Sequence, residues 1–325
     1  MPARCVLRQD NGATPRHSRI RSSPTSVGTS RLRRVPTHRV LHLSDTHVSR
    51  TGPDEDGVDA VAALERILHD ARHVPDLDLV LVTGDIADDG SYEGCLAVRD
   101  MVGAFAAERG IPHVYTTGNH DDRDAFTRAL GSGHLDAGGR DVGRLAGGSA
   151  GKRTAVSDVG GLRVITLDSL VPGAVHGELS GGEVAWLRGQ LATPAPYGTI
   201  VALHHPPLFL DSSLILRDVG LHDRELLAAA VAGTDVRAVL CGHFHHQLSG
   251  TMQGVPVWVT PGVVTRIDLT APRSRTRAVL GAGATVVDLG GPFSPVFHVL
   301  QARDPRQGEL VYLVDALSWE DVDEE

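Results

Sequence analysis

Five short polar segments, each directly after a run of aliphatic or β-branched residues, constrain this chain of 325 residues more than any other feature. In chain order they read LSDTH, TGDIADDG, TTGNHDD, LHHPP and CGHFHH. A polar segment that follows a buried strand lies where the strand gives way to a loop, and loops positioned by a rigid sheet often carry reactive groups. The repetition predicts an α/β fold that gathers five loops at one edge.

The five segments contain the residue types that bind transition metals. The candidate ligands are Asp45, His47, Asp85, Asn119, His204, His243 and His245. Asp45 and His47 stand two residues apart, as do His243 and His245, and in extended backbone each pair points to one face. Mixed nitrogen and oxygen ligands suit Mn, Fe, Zn or Co better than Ca. We expect two ions about 3.5 to 4 Å apart, bridged by Asp85. At this spacing two ions can hold the attacking and the leaving oxygen of a phosphoryl displacement, with metal-bound hydroxide as the nucleophile.

The same segments resemble the motifs of calcineurin-like metallophosphoesterases, from residue 39 to about residue 300. Agreement outside the metal motifs, in LDSLVPGAVHGELS, WLRGQLATPAP and GTDVRAVLCGH, is with the bacterial class III cyclic nucleotide phosphodiesterases. The ligand sets that this resemblance implies are Asp45, His47, Asp85 and His245 for one metal ion, and Asp85, Asn119, His204 and His243 for the other. It also implies a four-layered αββα sandwich, with a dimetal site of Fe, Mn or Zn and a bridging hydroxide at the sheet-edge loops.

His120 follows the candidate ligand Asn119 but belongs to neither ligand set. We expect it to face the substrate, to bind the phosphate and to protonate the leaving group. Asp88, three residues after Asp85, matches the family position that pairs with this histidine. Because a neighbouring carboxylate favours the protonated form of an imidazole, the resemblance implies that His120 and Asp88 act as a catalytic pair.

Apolar runs before the motifs predict strands, and segments of helical periodicity lie between them. The predicted strands of the first part are 40–43, 79–82, 113–116, 164–167, 200–203 and 236–240, and the predicted helices are 58–71, 94–108, 183–191 and 224–231. Four later segments, 255–259, 285–289, 295–301 and 310–316, are typical of hairpin strands in a second sheet. The Gly-rich stretches 138–151 and 281–291 are predicted to be flexible loops.

Residues 206–224 are predicted to form a lid beside the metals, with apolar side chains that can hold a nucleobase or another organic group. His205 and His246 each neighbour a candidate ligand, so each can support a ligand, face the substrate or lie in solvent. We expect His42 to be a hydrogen-bonded core histidine. His176 fits a surface turn better than a place in the substrate cleft.

Composition and charge divide the chain into three parts. We predict a disordered Arg-rich arm (1–38), a metallophosphoesterase domain (39–317) and an acidic tail (318–325). With 41% hydrophobic residues the domain can bury a sizeable core. Residues 1–39 hold nine arginines and one acidic residue while the whole chain has a net charge of −9. The predicted domain is therefore strongly acidic, which opposes binding of polynucleotides.

Three cysteines without CxxC spacing predict neither a disulfide framework nor a zinc ribbon, and indicate a reduced, cytoplasmic protein. No segment approaches the roughly 20 apolar residues of a membrane-spanning helix. Spacing does not decide between a monomer and a homodimer.

The resemblance implies hydrolysis of 3′,5′-cyclic AMP, and of cyclic GMP as a second substrate, to 5′-nucleotides. Phosphoprotein phosphatases have a phosphate-binding arginine where this chain has Asp89, which argues against that class. Phosphodiesterases acting on 2′,3′-cyclic nucleotides or glycerophosphodiesters remain alternatives. A non-catalytic scaffold of the same fold is a further alternative, although every ligand position is filled.

Overall fold

The motif-bearing strands pair side by side in two large sheets. The structure, a computed structural model, describes residues 38–147 and 151–316. The strands there are β1 (His38–Leu43), β2 (Leu79–Thr83), β3 (His113–Thr116), β4 (His134–Leu135), β5 (Arg144–Leu145), β6 (Ala155–Val159), β7 (Leu162–Thr166), β8 (Thr199–Ala202), β9 (Val236–Cys241), β10 (Leu248–Met252), β11 (Val255–Val259), β12 (Thr265–Ile267), β13 (Arg275–Leu280), β14 (Gly283–Leu289), β15 (Val296–Gln301) and β16 (Leu310–Asp315). The helices are α1 (Ala60–Ala71), α2 (Tyr92–Ala107), α3 (Arg123–Leu130), α4 (Gly181–Leu191) and α5 (Arg224–Val231).

Parallel pairing within the two large sheets directs the motifs to one edge. The first sheet has the order β15-β14-β1-β2-β3-β4, the second β10-β11-β9-β8-β7-β6-β5, and a small third sheet β12-β13-β16. Strands β1, β2 and β3 are parallel, as are β7, β8 and β9. Because parallel strands run in the same direction, the segments after them meet at the carboxyl edge of the sheet, where α/β proteins bind ligands.

Buried apolar residues form three clusters that separate four layers. One cluster packs the first sheet against α1, α2 and α3, with Leu64 at its centre. A second packs the other large sheet against α4 and α5 and includes Leu187. The third lies between the sheets, where Leu81 of β2 and Ile200 of β8 are both fully buried. This layering confirms the predicted αββα sandwich.

Capping residues set the helix starts more sharply than periodicity does. Helix α1 begins two residues after the predicted start because Asp59 caps it, with a side chain that accepts a hydrogen bond from the Ala62 N–H. Helix α4 begins two residues earlier than predicted, since Ser180 and Glu183 form a capping box.

The later strands do not share one second sheet, contrary to the prediction. Strands β14 and β15 extend the first sheet, β11 joins the second, and β16 belongs to the third. Strand β14 pairs antiparallel with β1, with Val287 opposite Val40; it contains the predicted strand 285–289 and occupies most of the stretch 281–291, which is therefore not the flexible loop that was predicted. Gly283 permits a close approach there, because a Cβ would lie 2.6 Å from Cγ of Pro261. Alternation identifies a strand but not its partner.

Strand β1 begins at His38, one residue before the predicted start of the domain at residue 39, and His38 is 8% exposed. The rest of the predicted arm and the predicted tail, 318–325, lie outside the described residues, as do 148–150 of the Gly-rich stretch 138–151. Within 38–147 and 151–316, no helix is long and apolar enough to cross a bilayer.

Glu183 on α4 is a fully buried charge with several partners. Its carboxylate lies 2.7 Å from Nζ of Lys152 and accepts hydrogen bonds from the Thr154 hydroxyl at 2.5 Å and the Ser180 N–H at 2.9 Å. Removing one partner of a buried ion pair leaves the other uncompensated. This network therefore ties α4 to residues 152–154.

We expect Glu183→Ala to lower the free energy of unfolding by about 3 kcal/mol, because Lys152 and Thr154 lose their buried partner. Urea denaturation followed by circular dichroism measures this change. Glu65→Ala, at an exposed position of α1, is the control and should change stability by no more than about 0.5 kcal/mol. Equal effects of the two substitutions would contradict the assigned role of Glu183.

Candidate metal centre

The seven predicted ligands meet where the carboxyl ends of five parallel strands converge. Asp45 and His47 follow β1, Asp85 follows β2, and Asn119 follows β3. The remaining three, His204, His243 and His245, follow β8 and β9 of the other large sheet. The His243 N–H donates a 3.0 Å hydrogen bond to the Asp45 carboxylate, which joins the two sheets at this edge.

The donor atoms form two groups that share the Asp85 carboxylate. In one group, Nε2 of His245 lies 3.4 Å from the Asp45 carboxylate and 3.2 Å from Nε2 of His47. In the other, Nε2 of His204 lies 3.0 Å from the Asp85 carboxylate and 3.2 Å from the Asn119 amide oxygen. Ligands about 2.1 Å from one cation lie about 3.0 to 3.4 Å apart, so both groups fit a metal shell.

Each candidate imidazole has one ring nitrogen that points away from the other donor atoms, and this nitrogen makes a hydrogen bond that fixes the ring. The partners are the Asp88 carboxylate for His47 (2.8 Å), the Thr83 carbonyl for His204 (2.7 Å), the Val219 carbonyl for His243 (2.9 Å) and the Thr265 hydroxyl for His245 (2.5 Å). Because a carbonyl only accepts, His204 donates from Nδ1 and His243 donates from Nε2. In the neutral form of each ring the other nitrogen carries a lone pair, as metal-binding histidines require.

Five of the seven predicted ligands adopt the left-handed backbone region. The φ angles are 55° for Asp45, 43° for His47, 46° for Asp85, 72° for His243 and 43° for His245. Extended backbone was predicted to point both members of each pair, Asp45 with His47 and His243 with His245, to one face. That prediction is wrong. Strand β1 ends before Asp45 and β9 before His243, and the left-handed turns aim the side chains instead. Such strain concentrates at functional sites.

Charge interactions oppose burial within the cluster. Burial raises the pKa of the Asp45 carboxyl, but the neighbouring His245 imidazole lowers it, to about 2 overall. Burial lowers the pKa of His47, whereas its hydrogen bond to the Asp88 carboxylate and the charge of Asp85 raise it, to about 9 overall. The carboxylates are thus ionised and favour a positive charge on His47 and His204, charge that a bound cation would supply in place of protons.

Asp88 lies between two histidines rather than serving His120 alone. Its carboxylate hydrogen-bonds Nδ1 of His47 at 2.8 Å and lies 3.6 Å from Nδ1 of His120. The hydrogen bond from Nδ1 of His120 goes to the Asp88 main-chain carbonyl, at 3.0 Å. The Asp88 carboxylate is therefore within ion-pair distance of His120, but its hydrogen bond goes to the candidate metal ligand His47, and the Asp88 peptide carbonyl orients His120.

Asp121, the second acidic residue of GNHDD, was not predicted to contribute. Its buried carboxylate accepts hydrogen bonds from the N–H groups of Ile86 at 3.1 Å, Ala87 at 3.0 Å and Gly118 at 2.8 Å. Burial raises its pKa to about 6, with a smaller contribution from the Asp85 charge. Asp121 therefore braces the loops that carry Asp85 and Asn119 against each other. Its position beside a ligand motif was the only sequence signal for this role.

A cavity of about 260 Å³ opens beside the candidate ligands. The predicted site residues that line it are His47, Asp85, Asn119, His120, His243 and His245. Ile215, Leu216 and Val219 also line it, which agrees with the predicted position of 206–224 beside the metals. One wall of the cavity is thus apolar and comes from a segment without helix or strand.

Other lining residues were not associated with the site by sequence reasoning. Tyr312 and Val314 come from β16, and Glu55 and Asp56 come from the loop after β1. The Glu55 N–H donates a 2.8 Å hydrogen bond to Asp88, which ties that loop to the metal cluster. The residue pattern of a strand does not reveal which distant loops it will face. The sequence of β16 therefore did not indicate that it lies beside the cavity.

Two histidines beside the ligands have structural partners. His42 is fully buried, and its Nε2 lies 2.8 Å from the Thr83 hydroxyl, as expected for a core histidine. His205 is also fully buried, with Nδ1 2.8 Å from the Ser169 hydroxyl and Nε2 3.1 Å from the Val175 carbonyl. Both nitrogens of His205 are engaged, so this residue supports a loop and does not lie in solvent.

The remaining two histidines lie outside the cavity lining. His176 stacks on His222 at the surface, consistent with the predicted turn. His246 lines a separate pocket with Arg266.

Comparison with known proteins decides the family. The model of the calcineurin-like phosphoesterases matches residues 38–247. The chain belongs to this family. Membership implies a dimetal site, and the His and Asp clusters described above could hold its ions. A relative from Rhodococcus erythropolis, named a probable cyclic nucleotide phosphodiesterase, is 40% identical over 72% of this chain and 73% of its own length.

Two further comparisons agree with this membership. A Mycobacterium tuberculosis protein named a cAMP/cGMP dual specificity phosphodiesterase is 38% identical over 76% of this phosphoesterase and 74% of its own length. The solved structure of GAP50, described as the anchor in the inner membrane complex of Plasmodium, is 13% identical with a TM-score of 0.54. It covers 86% of this chain and 88% of its own, a likeness of fold alone.

We expect Gly84→Ala to weaken metal binding by about 10- to 100-fold, the effect of disturbing residues that hold a ligand. The new Cβ would lie 2.5 Å from Nδ1 of His204, at a φ of +83°. Metal content after dialysis against a weak chelator measures the loss. Gly254→Ala, at a φ of +82° with nothing within 4 Å, controls for backbone strain. Equal metal loss in both variants would assign the effect to strain alone.

Proposed function

We propose that this phosphoesterase hydrolyses 3′,5′-cyclic nucleotides, cyclic AMP and cyclic GMP, to 5′-nucleotides. The observation that carries the proposal is that two nitrogen and oxygen donor groups share the Asp85 carboxylate and open into a small cavity with an apolar wall. The names of the Rhodococcus and Mycobacterium relatives support the substrate class.

The proposed ligands are Asp45, His47, Asp85 and His245 for one ion, and Asp85, Asn119, His204 and His243 for the other. Donors of this kind suit Mn, Fe or Zn, and occupancy follows availability as well as affinity. Two such ions, when bound, neutralise phosphate charge and lower the pKa of water to supply a nucleophile at neutral pH. The protein contributes the fixed ligand directions and a cavity of limited size.

The proposed role of His120 is to protonate the leaving oxygen. Its Nδ1–H donates to the Asp88 carbonyl, and it lines the cavity with 25% of its side chain exposed. With Nδ1 engaged, Nε2 is the atom left to meet substrate. The ribose oxygen that leaves a cyclic nucleotide is a poor leaving group, so a proton delivered from Nε2 would lower the barrier.

Cavity size and lining favour a mononucleotide over larger phosphoesters. Its volume of about 260 Å³ lies just below the lower end of ordinary small-molecule pockets. Ile215, Leu216 and Val219 offer an apolar surface for a base. Asp89 is outside this lining and accepts hydrogen bonds from the N–H groups of Arg50 and Ser91, so it offers no cation to a phosphoprotein phosphate.

The fold does not decide between enzyme and scaffold, because the structurally similar GAP50 is described as an anchor. The arrangement of ligands favours the enzyme: four imidazoles are oriented by outer hydrogen bonds, which a scaffold does not require. Glycerophosphodiesters and 2′,3′-cyclic nucleotides are the competing substrates.

We expect manganese-loaded protein to hydrolyse 3′,5′-cyclic AMP faster than 2′,3′-cyclic AMP or glycerophosphocholine at equal concentration. Asn119→Ala should lose this activity, because it removes the amide oxygen 3.2 Å from Nε2 of His204. Product analysis by chromatography identifies the 5′-nucleotide. Faster turnover of either competing substrate would replace the proposed one, and activity unchanged in Asn119→Ala would contradict the site.

We expect His120→Ala to lower kcat for cyclic AMP by about 10²- to 10⁴-fold, the usual contribution of a general acid. Metal content should stay near that of the wild type, since the hydrogen bond from His120 to Asp85 comes from the main-chain N–H, which the substitution keeps. Bis-p-nitrophenyl phosphate, whose leaving group needs no proton, should lose far less activity. His298→Ala, at an exposed histidine, is the matched control. Equal losses on both substrates would exclude leaving-group protonation.

A further inference from the structure

Two imidazoles and a carboxylate lie together on the surface, outside the cavity lining. His176 and His222 stack with ring centroids 3.9 Å apart and an interplanar angle of 7°. Oε1 of Glu178 lies 3.5 Å from Nε2 of His176 and 3.9 Å from Nδ1 of His222. One ligand atom from each of the three residues lies within 4.8 Å of the others.

Main-chain hydrogen bonds hold the two segments that carry this cluster. The Gly177 N–H donates to the Gly220 carbonyl at 3.2 Å, and the His222 N–H donates to the Gly177 carbonyl at 2.9 Å. Gly177 faces the His205 ring, because a Cβ there would collide with it. His176 and Glu178 stand on either side of Gly177, so in this bridged segment they point away from His205 and into solvent. The three side chains are therefore gathered by the backbone.

The hydrogen bonding of His222 determines which of its ring nitrogens faces the Glu178 carboxylate with a lone pair. Nε2 of His222 lies 3.1 Å from the Asp218 carbonyl, which only accepts, so Nε2 carries the proton. Nδ1 of a neutral His222 then presents a lone pair toward the negatively charged Glu178. The separations of 3.5 and 3.9 Å around Oε1 exceed a hydrogen bond. They approach the spacing of about 3.4 Å between ligands of one tetrahedral ion with bonds near 2.1 Å.

We propose that His176, Glu178 and His222 form a third metal site, which takes a single Zn²⁺ or a similar late first-row divalent ion. Two imidazoles and one carboxylate, with water completing the shell, are a common donor set for zinc. The rings must turn toward each other, because a metal lies in the plane of each imidazole that binds it. Exposed fractions of 30% for His176 and 43% for His222 leave room for this rotation, which weakens the hydrogen bond from His222 to the Asp218 carbonyl.

An ion at this site would fasten together two walls of the cavity. The segment of His176 includes Val175, whose carbonyl holds His205 and which also lines the cavity. The segment of His222 follows Val219, whose carbonyl holds His243 and which also lines the cavity. Occupancy of the site would therefore restrict the movement of residues 206–223 relative to the loop after β7, without contributing an atom to the dimetal centre.

Zinc stoichiometry tests the site directly. Full-length protein is dialysed against buffered micromolar free Zn²⁺, and bound zinc is counted by mass spectrometry of the metal. The wild type should hold three ions per chain, whereas His222→Gln and Glu178→Gln should each hold two. These substitutions lie in different segments, and circular dichroism verifies that each variant is folded.

His298→Gln is the control for adventitious binding, since His298 is another exposed histidine within 3.1 Å of a carboxylate, that of Asp288. It should retain three ions. An unchanged count in both cluster variants, a count of two in the wild type, or the loss of an ion in the control would overturn the proposal. The loss of one ion in the cluster variants relative to the wild type does not depend on which phosphodiester is hydrolysed, so this difference tests the site separately from the proposed function.

Discussion

The Asp85 carboxylate is the point on which the rest of the centre depends. One oxygen accepts the His120 N–H at 3.0 Å, and the other lies 3.0 Å from His204 and 3.7 Å from His47. It thus contacts loops from β1, β3 and β8, strands of two different sheets. A fully buried anion is costly unless neighbours compensate it. Imidazoles and N–H groups do so here, and the strands that deliver them must converge for the carboxylate to be stable.

Around this carboxylate, the protein separates the atoms that bind from the atoms that orient. The candidate histidines use one nitrogen for the cluster and the other for a fixed partner such as the Thr83 carbonyl. Asp88 joins the two functions, because its carboxylate orients His47 and its peptide carbonyl orients His120. A shift of this residue would therefore disturb metal binding and proton delivery together, although it is in neither ligand set.

What the sequence could predict was local. The motifs identified all seven candidate ligands, and the strands 113–116 and 255–259 and the helix 224–231 match the observed bounds. Long-range relations were not predictable, because periodicity carries no information about partners. Strand β14 pairs with β15 as a hairpin but also with β1, which places it in the first sheet, and Tyr312 reaches the cavity from the far end of the chain. Helix α3, capped by Asp122, was missed because it directly follows a motif that was interpreted only as a loop.

The left-handed backbone conformations in the ligand loops lower the stability of the fold while they aim the candidate metal ligands. Each non-glycine residue held there costs of the order of 1 to 3 kcal/mol, and five of the candidate ligands are so held. Replacing these residues with glycine would relieve the backbone strain but would remove the side chains that are the candidate metal ligands. The favourable free energy of folding the two sheets therefore offsets this backbone strain, and the ligand loops keep the conformation that metal binding requires even without a metal ion. Selection for a more robust fold alone would tend to erode this centre first.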